Sequence, residues 1–246
     1  MIKQDLLLRS VVPAWVLAAG AVFLSPVAWA TGVVYGVALV LLTEWGLRRS
    51  GRPAFGPADW ITFARALLVG CAAELIAEGG FPVGWLAGLA GVALLLDGLD
   101  GQVARRTGTA SEFGARFDME VDAFLILLLC IQVSHTLGLW VLAIGLMRYA
   151  FVAASWALPW LTAPLYPSMA RKTVAAVQGV VLVVAASELL PVAVSSALVG
   201  VALGSLVWSF GRDVVWLARH RTPGVVVELT RVSLRRPVWR GHNQAA

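Results

Sequence analysis

Long apolar stretches alternate with short polar breaks along almost the whole chain. The apolar runs cover residues 11–27, 32–47, 61–77, 83–96, 123–133, 139–161, 174–186 and 192–217. A helix needs about 20 residues to cross a bilayer core, so the short runs at 83–96 and 123–133 must continue as helix through polar neighbours. Breakers separate the runs: Ser25 with Pro26, Gly51 to Pro53, Gly79 with Gly80 and Pro82, Pro164 with Pro167, and Pro191. No segment alternates with the period of a strand, and no internal repeat stands out. The pattern predicts an all-α polytopic bundle of eight membrane-crossing helices.

Composition agrees with this reading. Of 246 residues, 59% are apolar and 13% charged, against about 25% charged in an ordinary soluble domain. Disorder, a small disulfide scaffold and a soluble globule are excluded. The two cysteines, Cys71 and Cys130, lie inside apolar runs and offer neither a disulfide framework nor a zinc cluster. The formal net charge is +5, and its placement is more informative than its size. With the N-terminus in the cytoplasm, the outer connections fall near 28–31, 78–82, 134–138 and 187–191, and none holds a Lys or Arg. Lys3, Arg9, Arg48, Arg49, Arg52, Arg65, Arg105, Arg106, Arg116, Arg171, Lys172, Arg212 and the segment from Arg219 to Arg240 fall at the inner side; only Arg148 lies deep within a span. The positive-inside rule then places both termini in the cytoplasm, and the charge is read as membrane topology rather than nucleic-acid binding. Two end segments have second readings. Lys3 and Arg9 followed by an apolar run and Ala28-Trp29-Ala30 also have the layout of a secretory signal. The basic tail around Arg231, Arg235, Arg236 and Arg240 suits either anionic headgroups or water.

The chemistry concentrates in the stretch LLLDGLDGQVARRTGTASEFGARFDMEVDAF. Asp97 and Asp100 are three residues apart and Asp118 and Asp122 four apart, so each pair shares a helix face. A short connection would make the two helices antiparallel neighbours and let the four carboxylates converge. Two unit charges about 5 Å apart repel by roughly 3 kcal/mol at an effective dielectric near 20, so an empty, fully ionised cluster is unfavourable. Carboxylate oxygens without nearby His or Cys favour a hard ion, Mg²⁺ or Mn²⁺. Gly101 and Gly114 would allow a close backbone approach. Glu120, between the late aspartates, points to a different face and is read as interfacial, and Glu112 as solvated.

Asp97, Asp100, Gly101, Ala104, Arg105, Gly114, Asp118 and Asp122 complete the pattern D-x-x-D-G-x-x-A-R, eight residues, G-x-x-x-D-x-x-x-D. In this the chain resembles the CDP-alcohol phosphotransferases, membrane enzymes that make phospholipids from CDP-linked donors. Asp59 to Arg65 is similar to the family's N-x-x-T-x-x-R segment, with Asp59 in the Asn position, and Lys172 and Gln178 are similar to parts of a G-K-x-x-T-x-x-Q stretch. The resemblance implies a six-helix catalytic unit with two added N-terminal spans: an extension over 1–52, a catalytic membrane domain over 53–218 and a basic cytoplasmic tail over 219–246. It implies Asp97, Asp100, Asp118 and Asp122 as ligands of two Mg²⁺ (or Mn²⁺) ions, with Asp122 also the general base. It implies Gly101, Ala104, Arg105, Ser111, Gly114, Thr62 and Arg65 at the donor, taken as CDP-diacylglycerol. The expected reaction moves a phosphatidyl group to a small alcohol and releases CMP, in a homodimer in a bacterial plasma membrane with its site facing the cytoplasm. Arg148 is costly within an apolar span, which suggests that Lys172, with Arg116 or Arg148 helping, binds a phosphate on a polyol acceptor; the other reading is that Arg148 pairs with an intramembrane acid or backbone carbonyls and Lys172 anchors its helix. A divalent-cation transporter or a catalytically silent lipid-binding protein is the alternative; a conduction path would need polar groups through the membrane depth.

Overall fold

The computed structural model describes residues 11–15, 25–50, 55–107, 111–163 and 168–220, the side chains of 100–107 excepted. Residues 11–15 are helical. Seven longer helices follow: α1 (Pro26–Ser50), α2 (Pro57–Glu78), α3 (Val83–Thr107), α4 (Glu112–Leu137), α5 (Leu142–Ala157), α6 (Met169–Ala186) and α7 (Val192–Arg219). Short 3-10 turns, Leu139–Val141 and Pro159–Thr162, flank α5. The described residues contain no strand. Among the described residues, five stretches are long and apolar enough to cross a bilayer: α1, α2, Leu139–Ala157, α6 and α7, with Val83–Leu99 of α3 a shorter apolar segment. The protein is a polytopic all-α membrane protein.

Helix ends follow local chemistry. Pro26 opens α1, and the Ser25 hydroxyl accepts from the Ala28 backbone N–H at 3.1 Å, an N-cap that satisfies one of the orphan amides of the first turn. This corrects one expectation: residues 28–31 lie within α1 rather than in an outer connection, because the Ser-Pro pair sets the break three residues earlier. Most of the first expected span, residues 16–24, lies outside the described residues. The two short runs do lengthen as helix through polar residues, α3 to Thr107 and α4 back to Glu112. Gly79, with φ 67°, and Gly138, with φ 97°, end α2 and α4 in a backbone region that L side chains rarely adopt.

The packing order differs from the expected one. α2 and α6 each pack on both α3 and α4, while α4 also meets α1, α5 and α7. Among the described residues α3 and α4 therefore face each other across a four-helix ring instead of packing side by side as their short connection suggested. Alanines such as Ala66, Ala72, Ala90 and Ala93 let α2 and α3 approach closely, and Leu125, Leu129 and Leu182 fill the ring. At the end where α2 and α4 begin, Phe55, Trp60, Phe63, Phe113 and Phe117 form an aromatic cluster with centroid separations of 5.2 to 6.5 Å. This cluster sets the two helix starts relative to each other.

Candidate active site

The site lies where α2 and α4 begin and α3 ends, and its centre is Arg65. Placed on the third turn of α2, Arg65 is fully buried. Its Nη1 donates to Asp97 at 3.0 Å and to Asp118 at 2.5 Å, and its Nη2 donates to Asp122. A guanidinium, planar and with five donors, can serve carboxylates from two helices at once. Oxygens of Asp97, Asp118 and Asp122 all lie within 4.8 Å of one another. The three are partly exposed, with side chains at 41%, 30% and 40%, so the cluster opens on one side to a ligand while Arg65 closes the other. Asp97 reaches the α4 pair although α3 and α4 lie across the ring from each other. Asp100 falls one turn beyond Asp97 on the same helix, toward the end of α3. The side chains of Asp100, Gly101, Ala104 and Arg105 lie outside the described residues.

The donor set is a physical fit for a divalent cation. Three hard oxygen ligands converge, and the buried cation between them shows that this place in the fold requires positive charge. Neighbouring residues hold the frame. Ser111 caps α4, its hydroxyl accepting from Gly114 N–H at 2.9 Å. Asp59, buried, accepts from Gly56 N–H at 2.7 Å and caps α2. A Cβ at Gly114 would lie 2.5 Å from Asp59 Oδ1 and 3.0 Å from Ser111 Oγ, so glycine here lets the starts of α2 and α4 meet. Thr62 is buried, and its hydroxyl donates to the Ala58 carbonyl at 3.3 Å.

The three residues expected at an acceptor phosphate are not brought together. Arg148 pairs with Glu120, and Arg116 with Glu112 at 2.6 Å. Residues 116 and 120 each lie two positions from Asp118, about 200° around α4, so both pairs belong to the opposite face. Arg116 and Arg148 each meet an acid on that side of α4, so that Glu120, expected as interfacial, and Glu112, expected as solvated, are both ion-paired. Lys172 stands exposed on the first turn of α6, the helix that touches both α3 and α4. Gln178 is buried and donates to the Ala202 carbonyl at 2.7 Å, tying α6 to α7.

Two groups do more than spacing along the chain indicates. Arg65, expected at the donor, also organises the carboxylates. Its signal was an Arg on the Asp59–Thr62 face of α2, and only tertiary packing shows what that face meets. Glu74 is 2% exposed with Oε2 unpartnered, and it packs on Gly32 of α1. A lone acid inside the run 61–77 is its visible signal.

A helical membrane bundle with an acidic cluster around a buried arginine defines a class: an integral membrane protein with a carboxylate site suited to a divalent cation. The family model for CDP-alcohol phosphatidyltransferases matches residues 56–208, and the chain belongs to that family of transferases for phosphate-containing groups. The match runs from the start of α2 into α7 and leaves α1 outside. No curated protein and no solved structure matches the chain.

Proposed function

We propose that this protein transfers a phosphatidyl group from CDP-diacylglycerol to the hydroxyl of a small phosphorylated polyol, releasing CMP. The observation that carries the reading is the convergence of Asp97, Asp118 and Asp122 on Arg65 within the family-matched segment. A bond forms from the acceptor oxygen to the β-phosphorus of the donor, and the bond from that phosphorus to the oxygen of CMP breaks. The acceptor proton passes to the Asp122 carboxylate, which serves as general base. Asp97, Asp100, Asp118 and Asp122 would hold two Mg²⁺ (or Mn²⁺) ions. Bound there, such ions supply charge neutralisation for the transferring and leaving phosphates.

Arg65 holds Asp118 and Asp122 in fixed rotamers, so the base does not have to be ordered when substrate arrives. Arg105, Gly101, Ala104 and Ser111 are assigned to the CDP part, where a guanidinium forks onto phosphate as an ammonium cannot. Gly114, Thr62 and Asp59 support the same pocket by setting helix approach. Lys172 is assigned to the acceptor phosphate: it is a cation on the helix between α3 and α4, with no ion pair of its own among the described residues. The charge asymmetry supports a cytoplasm-facing site, and the family resemblance supports a bacterial plasma membrane and a homodimer.

The test is an acceptor panel with labelled CDP-diacylglycerol. Phosphorylated polyols such as glycerol 3-phosphate or inositol phosphate are expected to yield lipid product, and serine and choline are not. Lys172→Ala should raise the acceptor KM about tenfold or more while leaving donor KM near wild type, as expected for loss of one charge-assisted phosphate contact. An unchanged acceptor KM in Lys172→Ala would assign the acceptor to other residues.

A further inference from the structure

A second site lies on the opposite side of α4. A groove of about 1060 Å³ runs between α1 and α4, at the upper end of the volumes that enclose small-molecule ligands. Its α1 wall is one helix face, from Val27 through Val34 and Leu42 to Arg49. Its α4 wall, with Phe117 and Phe124, covers only the half near Arg49, and Tyr149 of α5 also lines it. Residues 116 and 120 of this wall are about 200° from Asp118, so the groove is separate from the carboxylate cluster. α1 also lies outside the family-matched segment.

The lining is mostly apolar, with Thr31 and Tyr35 the polar side chains of its α1 wall away from the arginine end, and its charged groups all lie on the half near Arg49. There Arg49 lies over the Trp45 ring at 5.2 Å, and Arg116 pairs with Glu112. Glu120, the other acid in the lining, is answered by Arg148. Arg49, Arg116 and Glu112 leave one positive charge at this end of the groove. From Arg49 back to Val34 is about 22 Å of helix, more than half of a bilayer core. The complement of such a surface is one anionic group joined to long apolar chains. A packed helix from a second copy would not require a cation pair at one end. Basic pockets between membrane helices bind anionic lipid headgroups on the cytoplasmic side, which the positive-inside rule assigns to Arg49.

We propose that the groove between α1 and α4 binds one anionic glycerophospholipid, its phosphate at Arg49 and Arg116 and its acyl chains along α1 toward Val34. This site is independent of the transfer reaction. The test is native mass spectrometry of the full chain in detergent with phosphatidylglycerol, phosphatidylcholine or inorganic phosphate as probe. One phosphatidylglycerol per chain should be retained, about tenfold or more tighter than phosphatidylcholine. The Arg49→Ala/Arg116→Ala double variant should lose that preference. Ala38→Phe, which fills the groove and keeps both arginines, should lose retention itself. Val201→Phe, at an exposed position of α7, should retain lipid as wild type does. Should the double variant unfold, Ala38→Phe decides the matter. Equal retention in wild type and Ala38→Phe, equal binding of the two lipids, or displacement of lipid by inorganic phosphate would overturn the proposal. So would a chain dimer that carries no lipid and is lost in Ala38→Phe.

Discussion

Arg65 makes the carboxylate cluster tenable. Removing one member of a buried ionic network costs about 3–5 kcal/mol because the partners are left uncompensated. Arg65→Met should therefore lower the melting temperature in chelator and lower it much less in millimolar Mg²⁺, since a divalent ion can replace the missing charge. Thermal unfolding with and without the ion checks this, and an equal loss in both conditions would make Arg65 a packing residue only. Asp122→Asn should retain Mn²⁺ binding, measured by electron paramagnetic resonance, while transfer is lost, because an amide cannot take the acceptor proton. Asp97→Asn should weaken the ion as well. At this scale the sequence showed the acids through their spacing of three and four residues. It did not show that Arg65 joins them or that Arg148 finds Glu120, because those pairs span 32 to 57 and 28 residues. Such partners are fixed by how helices pack, and spacing along one helix carries no record of it.

At the scale of helices, the start of α4 depends on its fit against the start of α2. Asp59 and Ser111 crowd the place where a Gly114 Cβ would stand. Gly114→Ala should destabilise by about 1–3 kcal/mol, the usual range for overpacking a tight contact. Adding Asp59→Ala should recover part of that loss, and the coupling in a double-mutant cycle measures how much. Purely additive losses would mean that the two helices do not meet there. Helix existence was legible from apolar runs because burial in lipid demands them. Helix ends were less so: the break at Ser25 and Pro26 was visible as a turn signal, yet the apolar count carried the first run beyond it. The diagonal placement of α3 and α4 was hidden because a short connection limits the distance between helix ends, not which helix fills the space between them.

Across the whole molecule, the connections on one side carry no Lys or Arg and the opposite side is arginine-rich, and the acids on α3 and α4 meet Arg65 at the arginine-rich end. The fold class was legible because hydropathy and charge placement act over tens of residues. Glu74 is the exception, a single buried acid at the far end of α2 whose pocket against Gly32 no composition reveals. Whether this cluster moves a phosphatidyl group is decided by CMP release from CDP-diacylglycerol by the purified protein. With Mg²⁺ and a phosphorylated polyol, CMP and lipid product should appear in equal amounts. Both should stop in excess chelator, resume on Mg²⁺ or Mn²⁺ addition, and respond poorly to Zn²⁺. Full CMP release in chelator, or ion flux through vesicles without any CMP release, would contradict the account.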